Sequence, residues 1–409
     1  MPFPRTIFHI DMNSYFASVA EQMNPHLRGK AIGVGGKPGT RGIIAAASRE
    51  AKLRGVKTAM SAYEALRACP ELLIVDGDMD AVLDITNKFL TIFRRYTDEV
   101  EVFSVDEAFL DVTGWHARWG GPVALAQRIK DDIRREIGEC ITCSVGIAEN
   151  KLLAKLASDL KKPDGLVVLT KNDFRSLAIT LPVTELCGIA ERLARRLDVF
   201  GIKTVADLGR ADMNLLVDEF GPVMGTKLWM MGRGEDPSPV VSVVDSPKSF
   251  SHSYTLPTDT TDRAALHGVL FALAEKVARR MRREGFAGRH IGGYVRYGNF
   301  SGAGDGLTMK TYTDDGLVIY RTIKNLLRPH LVAAPVRALG VSVSDLGHHG
   351  QLPLFDDIRR RRALLTAADD INNRYGERTL EPVGTLGVLL KRHVSGFHHA
   401  LPVSVKGWG

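Results

Sequence analysis

FHIDMNSYFASV, residues 8–19, and VEVFSVDEAFLDVT, residues 100–113, decide how this chain is read. In the first, an apolar run ends in Asp11 and gives way to the start of a helix. In the second, Asp106 and Glu107 lie between Val100–Ser104 and Phe109–Val112, two runs that read as paired strands. Like charges raise each other's pKa, so three carboxylates at strand ends are costly to hold together without a cation. Oxygen-rich clusters suit Mg²⁺. Two such ions about 4 Å apart would activate a hydroxyl and stabilise a leaving phosphate oxygen. The pattern therefore points to metal-dependent phosphoryl or nucleotidyl transfer.

At 409 residues the chain should form about two to four domains. No run of about 18 apolar residues free of charge is present, so no membrane span is expected. MPFPRTIFHID enters a strand directly and lacks a signal-peptide layout, and four cysteines fit a reducing compartment. The expectation is a cytoplasmic, nucleoid-associated monomer. Residues 1–241 carry 31 basic and 32 acidic side chains, residues 242–345 carry 14 and 9, and residues 346–409 carry 9 and 6. The carboxylate-bearing part is thus near neutral and the basic surplus lies in the C-terminal third, as for a polyanion grip attached to a catalytic part.

Strands and helices mix up to Pro163-Asp164-Gly165, short helices with Gly breaks follow to Gly232, and GRGEDPSPVVSVVDSPKS (232–249) reads as a linker. A second α/β unit runs from Ser249 to Ser344, with helices near Ala264–Glu284 and Leu317–Leu327. Beyond it the chain is loop-like and then forms one helix around Ala363–Tyr375.

FHIDMNSYFASV, SVDEAFLD (104–111) and CSVGIAENKLLAKLASDLKKPDG (143–165) closely resemble bacterial Y-family translesion DNA polymerases of the polymerase IV and V type. The resemblance runs to about residue 345. It implies a multidomain α+β right-hand polymerase: a palm (1–165) with small inserted fingers (21–76), a helical thumb (166–232) with a helix-hairpin-helix, a linker (233–246), an α/β little finger (247–345) and a C-terminal tail (346–409). It implies low-fidelity, template-directed synthesis from dNTPs on primer-template DNA. A catalytically silent adaptor of the same fold and a palm-type nucleotidyl cyclase are the rival readings. Retention of the three carboxylates and Lys162 argues against the first, and the thumb-like and little-finger-like segments argue against the second.

By that resemblance Asp11, Asp106 and Glu107, with the Met12 carbonyl, would hold two Mg²⁺ ions. Phe16 looks like the steric gate that excludes a ribose 2′-OH, and Tyr15 and Phe16 begin a helix whose free N–H groups suit phosphate. Lys162 resembles the triphosphate lysine, with Lys155 a weaker candidate. ASREAKLRGVK (47–57) matches a fingers segment with departures: Arg49 stands where Tyr is common, Lys52 where Arg is, and Ala46 where a small hydroxyl residue is. Asn13 replaces a frequent Asp. Ala45, Ala46, Ala47, Ala59 and Ser61 would leave space over the templating pair. In the hairpin ELCGIAERLARRLDVFGIKTVADL (185–208), N–H groups near Gly188 and Ile189 would meet a DNA phosphate.

Arg279, Arg280, Arg282 and Arg283 cluster on one helix, and with Arg289, Arg296 and Lys310 are expected to form a DNA-facing side, the alternative being a solvated helix face. In QLPLFDD (351–357), Gln351, Leu352, Leu354 and Phe355 resemble the peptide that docks bacterial polymerases on the β-type sliding clamp. Cys140 and Cys143 form a CxxC without a second pair, and His348-His349 and His398-His399 lack metal-site partners, so no zinc site is expected.

Overall fold

The computed structural model describes residues 5–36, 41–243, 246–332, 334–348, 356–385 and 388, in two compact units that meet between residues 244 and 245. The first unit opens with strand β1 (Ile7–Met12) and helix α1 (Tyr15–Met23). Next come β2 (Ile32–Gly35), β3 (Ile44–Ala47), α2 (Arg49–Leu53), α3 (Ala62–Ala68) and β4 (Leu73–Val75). These three strands form their own small sheet in the order β3-β2-β4. The chain then runs through α4 (Met79–Arg94), β5 (Val100–Val102), β6 (Glu107–Asp111), α5 (Pro122–Glu136), β7 (Cys143–Ala148), α6 (Lys151–Leu160) and β8 (Leu166–Val168). Five short helices close the unit: α7 (Lys171–Ala178), α8 (Glu191–Asp198), α9 (Val205–Arg210), α10 (Met213–Phe220) and α11 (Pro222–Gly232).

The main sheet has the order β5-β6-β1-β7-β8, with β1 central and antiparallel to both neighbours. Alternation along β1 divides its side chains between two cores. Phe8, Ile10 and Met12 join the cluster formed with α4 and α5, while Ile7 packs with Phe109 and with α6 residues Leu153, Ala154 and Ala157. His9 and Asp11 share the parity of Ile7, so they face α6. The register sets Asp11 opposite Glu107 and His9 opposite Gly146. That glycine is a spacing requirement: a Cβ there would fall 2.0 Å from the Ala154 carbonyl oxygen and 2.4 Å from the Ser158 nitrogen. Asn150 starts α6, accepting from the Leu153 N–H at 2.9 Å and donating to the Gly234 carbonyl.

The second unit contains β9 (Ser249–Thr260), α12 (Arg263–Arg283), β10 (Phe286–Tyr297), β11 (Gly302–Thr313), α13 (Gly316–Leu327), β12 (Val336–His348) and α14 (Asp356–Tyr375). Its antiparallel sheet runs β11-β10-β12-β9. Ile291, Val295, Leu339, Val341 and Val343 point to the face covered by α12 and α13. The alternate positions Tyr294 and Arg296 are exposed on the other face, opposite Gly304 and Gly302 of β11. Lys310 is exposed and shares their parity.

Two expectations need correction. The helix expected around Ala363–Tyr375 begins at Asp356, and β12 continues to His348. Residues 356–375 are held to the second unit: Asp369 accepts from Arg282 at 2.6 and 3.0 Å, and Arg361 donates to Asp315 at 2.7 and 3.0 Å, tying α14 to α12 and to the start of α13. Among the described residues no helix is long and apolar enough to cross a membrane.

Replacing Gly146 by Ala should destabilise the first unit by about 1–3 kcal/mol, because the added methyl can be accommodated only by moving α6 off the sheet. Thermal or urea unfolding of the parent and G146A proteins measures this; equal stability would show that α6 has slack against β7.

Candidate active site

Pairing of β1 with β6 brings Asp11 and Glu107 together, and the Met12 N–H donates to the Asp106 carbonyl at 2.9 Å, which draws the Ser104–Asp106 turn against the end of β1. The three acids therefore stand at one edge of the palm sheet. Burial first, and then the charges of Asp11 and Glu107, push the Asp106 carboxyl up from its ordinary value, against a hydrogen bond from Ser104. For Glu107 burial acts upward too, but donors from His9 and Lys155 outweigh it and bring the carboxyl down to about 2. Among the described residues no group of three side chains is poised as metal ligands. Each acid is turned to a partner: Asp11 Oδ2 to Lys162 Nζ at 2.7 Å, Asp106 to Ser104, and Glu107 Oε2 to Lys155 Nζ at 2.5 Å.

The donor set fits a hard divalent cation. Its atoms are carboxylate oxygens, and two ammonium groups already lie against two of the three acids, as the charge balance of the cluster requires. Lys155, the weaker phosphate candidate, is thus committed to Glu107, and its ring-side neighbour is Phe103 at 5.3 Å.

Lys162 also pairs with Asp159 at 2.7 Å. The loop that carries it is pinned from beneath. Lys130, only 5% exposed, donates to the carbonyls of Asp164 and Gly165 at 2.6 and 3.2 Å. The Asn13 amide donates to Ser144 Oγ at 2.9 Å and accepts from the Asp164 N–H at 2.7 Å. An Asp at position 13 could accept that N–H but could not donate to Ser144, so the departure at this position has a structural use. Sequence reasoning missed Lys130. Its signal was present: with Ala126, Ile129 and Ile133 it occupies the buried stripe of α5, where an unpaired lysine has no place.

Lys52 Nζ donates to Ser14 Oγ at 2.8 Å, which brings α2 to the N-terminus of α1. Burial, and then Lys162, pushes the Lys52 ammonium down, with Asp11 opposing. Two lysines thus flank the first turn of α1, whose leading N–H groups have no intrahelical acceptor. Arg49 is exposed in the first turn of α2. Phe16 is half-buried between two apolar clusters and Tyr15 is wholly buried. The Tyr15 hydroxyl donates to the Val82 carbonyl at 2.8 Å inside the core, so it is the backbone N–H of Tyr15 at the start of α1, and not its ring, that is left for the expected phosphate contact. Ala46 is buried and Ala45 exposed on β3.

Gly188 takes φ 101°, a left-handed turn with open space around it. Ile189 is buried and its N–H already donates to the Leu186 carbonyl at 3.0 Å, so that N–H is removed from the expected phosphate contact. In the second unit the arginines do not form one surface. Arg279 and Arg282 are turned to α14, donating to Asn373 and Asp369; Arg280 lies over the Phe250 ring at 5.7 Å; Arg283 is exposed. All four sit on α12, across the sheet from Arg296 and Lys310. Arg289 pairs with Asp345 at 2.6 Å. Gln351, Leu352, Leu354 and Phe355 lie outside the described residues. Cys140 and Cys143 are free thiols, as are Cys69 and Cys187.

Residues 10–159 match the impB/mucB/samB family, residues 184–236 match a DNA polymerase-iota thumb domain, and residues 247–354 match the impB/mucB/samB family C-terminal domain. The chain is 40% identical to the DNA polymerase IV of Moorella thermoacetica over 92% of its own length and 94% of that protein. The chain belongs to the Y-family DNA polymerases. It is also 35% identical to DNA polymerase IV 2 of Bacillus subtilis, covering 91% of this chain and 92% of that one. A solved Y-family DNA polymerase chimera superposes with a TM-score of 0.73 at 28% identity, over 83% of this chain and 98% of the chimera. The mixed sheets and helices accord with the palm, thumb and little finger of this family, the thumb match covering α8–α11.

Proposed function

We propose that this Y-family member extends a primer 3′-OH along a damaged template by low-fidelity transfer from dNTPs, and that Asp11, Asp106 and Glu107 are the residues that carry the reaction. The observation that supports the assignment is the meeting of three acids with Lys162, Lys52 and the first turn of α1 at one edge of the palm sheet. Polymerases of this family use divalent metal ions. Here the three carboxylates and the Met12 carbonyl would hold two Mg²⁺. When bound, such ions lower the pKa of the attacking hydroxyl and neutralise charge on the leaving pyrophosphate.

The chain's own residues do the rest. Lys162 and Lys52 stand where a triphosphate would meet both ammonium groups and the α1 N–H groups together. Lys162 leaves Asp11 when it turns to a phosphate, so substrate entry frees the carboxylate. Phe16, beside that turn, sets its ring where a ribose 2′-OH would project. The small side chains of β3 leave room over the templating pair. On the second unit, the open sheet face with Arg296 and Lys310 is the surface that meets DNA phosphates, in place of the arginines of α12. The QLPLF peptide (351–355) docks the polymerase on a β-type clamp. A monomer suffices for all of these roles.

Primer extension with Mg²⁺ and four deoxynucleotides tests the site. Asp106→Ala should lose at least about a hundredfold in rate with DNA affinity kept, in line with removal of a group that acts on the reacting atoms; extension at the parent rate would remove Asp106 from catalysis. Phe16→Ala should keep deoxynucleotide incorporation and raise ribonucleotide incorporation, and unchanged sugar discrimination would end the gate assignment. Changing Leu354 and Phe355 to Ala should abolish stimulation by the clamp while leaving clamp-free synthesis alone; equal stimulation would count against the docking peptide.

A further inference from the structure

We propose that His9, oriented by Ser158, is a positioning residue for Glu107: it fixes the Oε2 side of that carboxylate so that Oε1 is presented to the catalytic cation. The inference rests on the reading of the three acids as metal ligands.

His9 is wholly buried in the middle of β1, two residues before Asp11 and on the same face of the sheet. Its Nδ1 lies 2.7 Å from Ser158 Oγ on α6, and its Nε2 lies 3.2 Å from Glu107 Oε2. The Phe109 ring packs against the imidazole at a centroid distance of 4.6 Å, which restricts its rotation. Nε2 is off the line of a straight hydrogen bond, and among the described residues it has no other partner. A buried polar atom with no other partner, aimed at a site carboxylate, is what a contact that tightens only in the loaded site looks like.

Proton placement follows from the neighbours. A wholly buried ring is least costly as the neutral imidazole, with one N–H and one acceptor nitrogen. If Nδ1 carried the proton, the Nε2 lone pair would face a carboxylate oxygen. The arrangement without that repulsion has the Ser158 hydroxyl donating to Nδ1 and Nε2–H donating to Glu107 Oε2. The Ser158 hydroxyl also donates toward the Lys155 carbonyl at 2.7 Å, so its one proton has two acceptors within reach, and turning it to the ring leaves Nε2–H for Glu107. Lys155 Nζ reaches the same Oε2 at 2.5 Å. With Lys155 on Oε2 and Nε2 3.2 Å from the same oxygen, Oε1 is left to coordinate. Gly146 opposite His9 is what lets α6, and with it Lys155 and Ser158, come this close.

Mn²⁺ uptake, followed by the electron paramagnetic resonance signal of the free ion, tests this on the full chain bound to a dideoxy-terminated primer-template and a dNTP. His9→Phe keeps the ring's bulk and should weaken Mn²⁺ binding about tenfold, while His9→Gln, which keeps a donor near Nε2, should stay within about threefold of the parent. Melting temperature and DNA affinity should hold in both. Parent-like Mn²⁺ affinity in His9→Phe overturns the proposal and makes His9 a packing residue. If His9→Phe does not fold, Ser158→Ala decides: several-fold weaker binding supports the proposal and parent-like binding overturns it. Uptake by the parent no greater than by Asp106→Ala would overturn the metal-site reading itself, and this inference with it; that result is distinct from a parent that binds Mn²⁺ and a His9→Phe variant that binds it equally well.

Discussion

Negative charge gathered at the ends of β1 and β6 is the constraint around which the first unit is built. A partly buried carboxylate beside two others is unstable unless something positive answers it. The chain supplies an answer of its own: Lys162 covers Asp11 and Lys155 covers Glu107. Both lysines arrive on one segment, α6 and the loop after it, so the position of that segment is an electrostatic matter as much as a packing one. Gly146 and Asn150 set how close the helix comes and where it starts, and Lys130 and Asn13 hold the loop. Asp106 is met by the Ser104 hydroxyl, with no lysine or arginine paired to it among the described residues, and it is the acid whose carboxyl is pushed up.

The three acids were legible in the sequence because strand, acid and helix start follow one another within a few residues, and a hairpin announces itself locally. The layout of most elements was legible for the same reason, but α14 begins seven residues before the expected start and β12 runs four residues past the expected end. What sequence could not supply was partnership across long separations. Arg282 reads as an open phosphate contact until Asp369, 87 residues later, takes its Nε and Nη2 together and the Asp314 carbonyl takes Nη1. Tyr15 and Phe16 are adjacent on a helix, about 100° apart, and nothing local says which one turns inward. The hydroxyl of Tyr15 finds Val82 under α4, and Phe16 is left at the margin. His9 and Lys155 lie 146 residues apart, and it is the packing of β6 and α6 that turns both toward Glu107 Oε2.

The fingers departures make physical sense as a set. Where Lys replaces the usual Arg at position 52, a bidentate fork is lost, but a slender ammonium can reach Ser14 at the helix start. Arg49, in the first turn of α2, carries a guanidinium where the resembled family commonly has an aromatic hydroxyl, so the helix that bears Lys52 gains a positive charge. Asn13 exchanges a fourth negative charge for an amide that both donates and accepts. Each change lowers the site's negative charge or retains its positive charge, and none removes one of the three acids.

The second unit separates its charge by face. Helices α12 and α13 cover one side of the sheet, and on α12 Arg279 and Arg282 are drawn into contacts with α14, Arg280 lies over a ring and Arg283 is exposed. The opposite side carries glycines at 302 and 304, with Arg296 and Lys310 exposed beside them. A flat sheet surface with small residues and isolated long cations can follow a phosphate backbone without reading bases, because it offers charge but little base-specific hydrogen bonding. An enzyme that must hold damaged template has use for a grip of that kind. A surface that matched base edges would fail where the base is altered, whereas the phosphates beside a lesion keep their charge and spacing.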